Sequence, residues 1–540
     1  MKKNLVKLTA VLVLVLAIIS CKKNFLTETP KSVYSPVTLT DSLGFEASLV
    51  GLYQFQTGIL TYSGNQGWPS VWQIGTDVAN ATAQQEGIEV PYYNYATLTN
   101  TDNAAHYTWQ KEYQLINLAN IIIDGIEGPN VKNVSAIGKT RIEAEARFFR
   151  AYAYDQLAIL YGGVPLVVHA LTGPKTNFTR APLTEVNNQI AADLVYASTN
   201  LSDVGAISSK TNALGKPAGR ANKYMAMQLL AEVYIRMGKN DLAEAQAQAV
   251  INSGKFSLIK SRFGVKASLP GDYYSDLFQY GNQRRAQGNS ETIWVLEEEN
   301  PASVTGGNVD NAQQRRVWGA AYYQEAGMII CDSLGGRGIA RLRLSNWVIY
   351  GLYDPTDMRN SKYNLRRRYY YNDPTNAKYG QQIPFTGPDT LFKICPSITK
   401  WGQFDPNDTF GYAMIKDFIM MRLGETYLLL AEAQFNQGNT AGAANAINVL
   451  RTRANAPQVT AGQMTLDFIL DERARELVGE ENRRETLMRT NTLVTRSLRL
   501  NANDAVHPTV GLTSKNLLLP IPLSEIQLNK DAVLTQNPGY

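Results

Sequence analysis

Two stretches of the chain share one spacing, and that spacing limits the folds open to it. Ala231, Tyr234, Gly238, Ala243 and Ala247 recur in offset as Ala431, Gln434, Gly438, Ala443 and Ile447. These are the offsets of a tetratricopeptide-type helical hairpin. Small residues let two antiparallel helices approach, and the glycine permits the turn between them. A hairpin of this kind leaves an apolar face that needs a neighbour, so two copies imply a larger helical body. The repeats are placed at about 221–253 and 418–453. Asp241 with Glu244 reads as a capping box opening the second helix of the first copy.

Other segments carry the helical period. Ile142, Ala146, Phe149, Ala153, Leu157 and Leu160 recur at spacings of three and four, placing them on one face of a helix over 141–161. Gly162, Gly163 and Pro165 end it. Further helices are expected over 41–56, 184–201 and, as one charged helix or a pair, 466–489. Two stretches lack this period and are rich in Gly, Asn and aromatic residues, about 58–105 and 256–408. The fold class expected is mostly α: tetratricopeptide-like hairpins forming a helical body, with a large loop-rich insertion and a few short strands. Thr292 to Glu297 is one candidate strand.

The N-terminus reads as an export signal. Lys2, Lys3 and Lys7 precede an apolar run from Ala10 to Ile19, too short to span a bilayer, which takes about 20 residues. Ser20 and Cys21 follow, and Ile18-Ile19-Ser20-Cys21 resembles a bacterial lipobox. The expected organisation is a lipoprotein signal peptide over 1–20, a tether over 21–40 and a single domain over 41–540. Acylation of Cys21 would supply a bilayer anchor, since each buried CH₂ contributes about 0.8 kcal/mol. Removing three lysines with the signal lowers the net charge from +5 to +2. No basic stripe interleaved with stacking aromatics is present, so no nucleic-acid partner is expected. Cys331 and Cys395 either pair or remain as two buried thiols.

Catalytic signatures are sparse. The three histidines, His106, His169 and His507, form no zinc pattern. There is no Walker loop or nucleophile elbow, and Gly335-Gly336-Arg337-Gly338 is not a dinucleotide fingerprint. Asp405, Asn407 and Asp408 read as a polar turn, since the full calcium-loop pattern is missing. No catalytic residue, metal or cofactor is expected.

Binding has more support. The chain holds 29 Tyr and 7 Trp, whose flat apolar faces and polar edges suit the C–H faces and hydroxyl rims of sugars. The candidate ligand residues are Trp68, Trp72, Asp77 and Tyr92 in the first irregular stretch, with Arg315 and Trp318 in the second. Tyr322 and Tyr323 lie beside them. Replacing Trp68 or Trp318 by alanine is expected to lower glycan affinity with little change in Tm. Trp109 and Tyr113, four apart on a helix, are core residues by the same logic.

In order along the chain, several short segments resemble the SusD/RagB family of Bacteroidetes outer-membrane lipoproteins. They include the lipobox with Phe25-Leu26, then Trp109-Gln110-Lys111-Glu112-Tyr113, then Tyr161-Gly162-Gly163-Val164-Pro165-Leu166. Arg422, Glu425, Arg451, Arg453, Glu472-Arg473, Glu476 and Arg483 continue the series. Pro520-Ile521-Pro522 and the closing Gln536-Asn537-Pro538-Gly539-Tyr540 end it. The chain departs where the pattern often has Gly and Asp, at Glu481 and Thr486. The resemblance implies capture of an oligosaccharide or polysaccharide without cleavage, and delivery to a TonB-dependent, SusC-like outer-membrane transporter that the lipoprotein covers. A peptide ligand is the alternative it leaves open, and a glycosidase is a third class.

Overall fold

The computed structural model describes residues 39–62, 64–82, 87–206, 219–300, 312–501 and 508–540. The signal peptide, Cys21, most of the tether and His507 lie outside them. The body is a row of helices, each packed on the next: α2 (Asn103–Glu127), α3 (Ala136–Tyr161), α4 (Leu183–Asn200), α5 (Lys223–Arg236), α6 (Asn240–Asn252), α7 (Leu423–Asn436) and α8 (Thr440–Arg453). Helix α1 (Ser42–Leu60) covers α2 and α3, and α9 (Leu466–Leu477) packs on α7. Two short helices, α10 (Arg483–Arg489) and α11 (Leu493–Asn501), follow.

The repeated offsets fall on two hairpins, α5–α6 and α7–α8. Ala231, Ala243, Ala247, Ala431, Ala443 and Ile447 are all fully buried where the helices meet. Gly238 and Gly438 turn the chain at φ +72° and +80°, a conformation that disfavours residues with a Cβ. Although far apart in sequence, the hairpins stack, so their apolar faces cover one another. The expected capping box at Asp241 does not form. Helix α6 begins at Asn240 with no side-chain cap, and Glu244 instead accepts from Gln434 and Gln437 of the second hairpin, each at 2.8 Å.

The irregular segment leaves and rejoins the body through one antiparallel strand pair, β2 (Thr292–Leu296) and β6 (Phe418–Arg422), with Thr292 opposite Arg422. Two more small pairs form, β1 (Ala79–Ala81) of the first irregular stretch with β3 (Leu342–Leu344) of the second, and β4 (Leu365–Arg366) with β5 (Ser397–Ile398) within the second. The segment packs around two small cores, the first shared with Val78 and Ala79 and with Ala474 of α9. One centres on Trp318, Leu342 and Ile349, another on Tyr322, Tyr369 and Cys395. The chain is therefore mostly α with few short strands, as the repeats and periodicity implied.

Candidate functional site

Charged residues of α7–α10 and the segments beside them build a buried lattice. Glu476 accepts from Arg359 at 2.9 Å, from Arg422 at 2.6 Å and also from Arg453. Glu472 accepts from Arg359, Arg451 and Arg475 at 2.8–2.9 Å. Glu291 bridges Arg453 at 2.7 Å and Arg422 at 3.3 Å. Burial would push these acids toward neutrality. For Glu476 the facing guanidiniums win and hold its carboxyl well below the usual range, and for Glu472 they bring it to about 2. Asp77 belongs to the same construction. It is fully buried, bonded by Arg483 at 2.6 and 2.8 Å and by Arg496 at 2.8 Å. Its oxygens are consumed in fixing the first irregular stretch to α10 and α11, so it offers nothing to an incoming ligand.

Tyr92 is likewise interior. Its hydroxyl donates to Asp102 at 2.8 Å, and the Arg484 guanidinium lies 4.8 Å from its ring. Arg484 also donates to the carbonyls of Val71, Ile74 and Tyr92. The first stretch is thus a packed strap on the helical body.

Trp68, Trp72 and Trp318 do converge, on a partly open cavity of about 240 Å³. Trp68 is 3% exposed, donates its indole N–H to Ile59 at 2.8 Å and meets Trp72 edge to face at 5.4 Å. Carboxyls crowd the walls, among them Glu112, Asp155, Glu425, Glu481 and Glu485. Burial raises Glu112 and Glu485 well above the usual range and Asp155 to about 6. Gln56, Gln73, Thr108 and Glu112 each turn an oxygen with no protein partner into this part of the interior. Such a cavity suits ordered water, and it is smaller than the roughly 300–1,000 Å³ usual for organic-ligand pockets. The two sequence departures meet here: Thr486 donates to Glu481 at 2.9 Å, and Glu481 also binds Arg473 and Arg483.

Rings that reach solvent lie elsewhere: Tyr280, Tyr350, Tyr370 and Tyr379 are exposed, and one group gathers around Arg337. Phe410 and Tyr412 are 60% and 59% exposed. Tyr323 meets Phe410 edge to face at 6.0 Å. The Arg337 guanidinium lies among all three rings, 5.5 Å from Tyr323, 5.6 Å from Phe410 and 5.3 Å from Tyr412. It donates to the Phe410 carbonyl at 2.6 Å. Beneath, buried Arg316 sits 4.6 Å from the Tyr412 ring. Burial would raise the Tyr323 phenol, yet hydrogen bonding to Arg337 and its charge bring it below its ordinary value.

Arg315 supports this platform from below. It is buried and donates to Gly411 at 2.7 Å and Ala413 at 3.3 Å, the carbonyls on either side of Tyr412, and to Gln403. Of the six ligand candidates, three line the cavity, two pack the strap, and Arg315 positions the platform. Arg316, Arg337, Phe410 and Tyr412 were not among the candidates drawn from the sequence. The available signal was Phe410-Gly411-Tyr412 after the polar turn at Asp405, since residues two apart in extended chain point the same way.

A second concavity, about 550 Å³, runs between α2 and the C-terminal stretch. Phe55, Tyr113, Leu118, Leu171 and Leu534 make it mainly apolar. Trp109 packs at its base, 3% exposed. Among the described residues, no three His, Cys, Asp or Glu side chains form a metal-type cluster. Cys331 and Cys395 are free thiols.

Helical hairpins carrying a loop-borne platform of rings and guanidiniums define a scaffold of the tetratricopeptide-like binding class. Residues 343–540 match the sequence profile of the SusD family, and residues 26–235 match one described as starch-binding, associating with outer membrane. The chain belongs to the SusD/RagB family. A SusD-like protein of Formosa agariphila is 24% identical over 97% of both chains. The starch-binding protein SusD of Bacteroides thetaiotaomicron is 23% identical over 85% of this chain and 82% of its own. A solved laminarin-binding SusD-like protein superposes with a TM-score of 0.69 at 23% identity, covering 93% of this chain and all of that one.

Proposed function

We propose that this protein is an outer-membrane lipoprotein, acylated at Cys21, that holds an oligosaccharide or polysaccharide without cleaving it and passes it to a TonB-dependent, SusC-like transporter. The observation that carries the reading is the solvent-facing group of Tyr323, Phe410 and Tyr412 around Arg337. Sugar rings present C–H faces that such rings cover, and guanidinium N–H groups serve the oxygen rim. Trp68, Trp72 and Trp318 stiffen the body behind it, while Asp77, Tyr92 and Arg315 fix the loops. Family membership and the starch- and laminarin-binding relatives support the choice of glycan.

A non-catalytic role fits the placement of the acidic groups. A glycosidase needs two carboxyls flanking an accessible glycosidic bond, whereas Glu112 and Asp155 lie buried against the small cavity. The test joins three measurements on the exported protein: calorimetry against laminarin, starch and alginate, assay of released reducing ends, and co-purification from outer membranes. Binding with no new reducing ends, together with recovery of a large β-barrel protein, is the expected result. Steady release of reducing ends would overturn it, as would loss of Cys21→Ala from its transporter without any loss from the membrane.

A further inference from the structure

We propose that the platform selects a glycan bearing negative charge, through uronate carboxylates or sulfate esters. The inference rests on the platform being the glycan site and adds the chemical class of the ligand. Its ground is the company the arginines keep. Elsewhere in the interior most guanidiniums meet carboxylates, as Arg150 meets Asp193, Arg236 meets Asp155 and Arg489 meets Glu432; buried Arg484 departs from this, but its donors are taken up by carbonyls and the Tyr95 hydroxyl. Among the described residues, no carboxylate lies within ion-pair distance of Arg315, Arg316 or Arg337, whose bonds go to carbonyls, an amide and a hydroxyl. Arg316 is 3% exposed, donates to Gln313 at 2.7 Å and leaves its Nε without a partner. Arg337 donates only to a carbonyl and, at 3.4 Å, to the Tyr323 hydroxyl.

Burying cations together without a counter-ion is unfavourable. The chain carries that cost at an exposed cluster of rings, where a ligand can relieve it. Asp408 and Asp405 act on Arg315 only from beyond ion-pair distance. Burial, then the charges of Arg337 and Arg315, lowers Arg316 to about 10. The imbalance extends over the segment. Residues 312–416 hold fourteen Lys and Arg against eight Asp and Glu, a net +6 in a chain whose total is +5. A carboxylate or sulfate presents acceptors to the guanidinium fork, while the sugar ring that carries it lies on Phe410 and Tyr412.

The test is calorimetry on the full exported chain with alginate, carrageenan, laminarin, starch and polyglutamate, each at low and high salt. Alginate or carrageenan is expected to bind and to weaken about tenfold as added salt shortens the screening length to below about 10 Å. Arg337→Gln is expected to weaken that binding about tenfold. Arg499→Gln removes an equal charge from a half-exposed pair with Asp467 and is expected to leave it unchanged. Three results would overturn the inference: no binding of either charged glycan, laminarin or starch binding that neither salt nor Arg337→Gln alters, or polyglutamate binding as tightly as alginate. The Phe410→Ala/Tyr412→Ala variant separates the two levels. If it loses neutral-glycan binding, the platform stands and only the charge selection falls. If it keeps all glycan binding, both fall.

Discussion

The same residue type does opposite work in two parts of this molecule. In the lattice around Glu476, each buried guanidinium faces carboxylates, and the pairing ties α8, α9, β6 and the segment near Arg359 together. In the platform, Arg316 and Arg337 face aromatic rings and carbonyls. A paired interior arginine is spent on the fold, because its donors are already satisfied. An unpaired one beside exposed rings retains attraction for something outside. Buried Arg484 also lacks a carboxylate and holds the first stretch through carbonyls, so it is the exposed rings around Arg337 that set the platform apart.

It breaks most readily at Glu476. Glu476→Ala leaves Arg359, Arg422 and Arg453 short of a shared counter-charge, and removing one partner of a buried pair costs about 3–5 kcal/mol. Urea unfolding should register that loss, with expression failure as its extreme form; a change below about 1 kcal/mol would mean the lattice is not structural. Trp68→Ala should cost a comparable 3–5 kcal/mol, as for large aromatic truncations in cores. That stability loss replaces the expectation, drawn from sequence, of an affinity change alone.

Acid and base act on the two carboxyl sets with opposite sign. Glu472, depressed to about 2, contributes stability present above its unfolded value near 4.3 and lost as pH falls through about 2. Asp155, raised to about 6, contributes stability present below about 3.9 and lost as pH rises through about 6, on the order of 1–3 kcal/mol. Tm followed against pH should therefore fall on the acid side from the lattice, with a smaller decline across about pH 4–6 from Asp155. A profile rising steadily through pH 7 would show that Asp155 is not held as its burial implies. Tyr412→Ala is the smallest perturbation to the fold, within about 0.5 kcal/mol as for exposed positions.

Periodicity made the helical body legible. The repeat offsets located both hairpins, and the spacing from Ile142 to Leu160 located α3. Those signals are local, because buried faces recur at fixed intervals. The residues that resembled the family, among them Arg422, Arg453, Glu472 and Glu476, turn out to be the lattice, a relation between distant segments that spacing cannot reveal. The site was less readable for the same reason. An aromatic in a loop has no period to report which way it faces, so Trp68 and Trp318 read like Tyr412 until packing separated them. Unpairedness, the property that distinguishes Arg316 from Arg422, exists only in three dimensions.

Calorimetry and thermal melting of Phe410→Ala/Tyr412→Ala, against whichever of laminarin, starch, alginate and carrageenan the unaltered protein binds, address the central claim most directly. The account predicts affinity reduced at least about tenfold with Tm unchanged. Unchanged affinity in a folded double variant would contradict it.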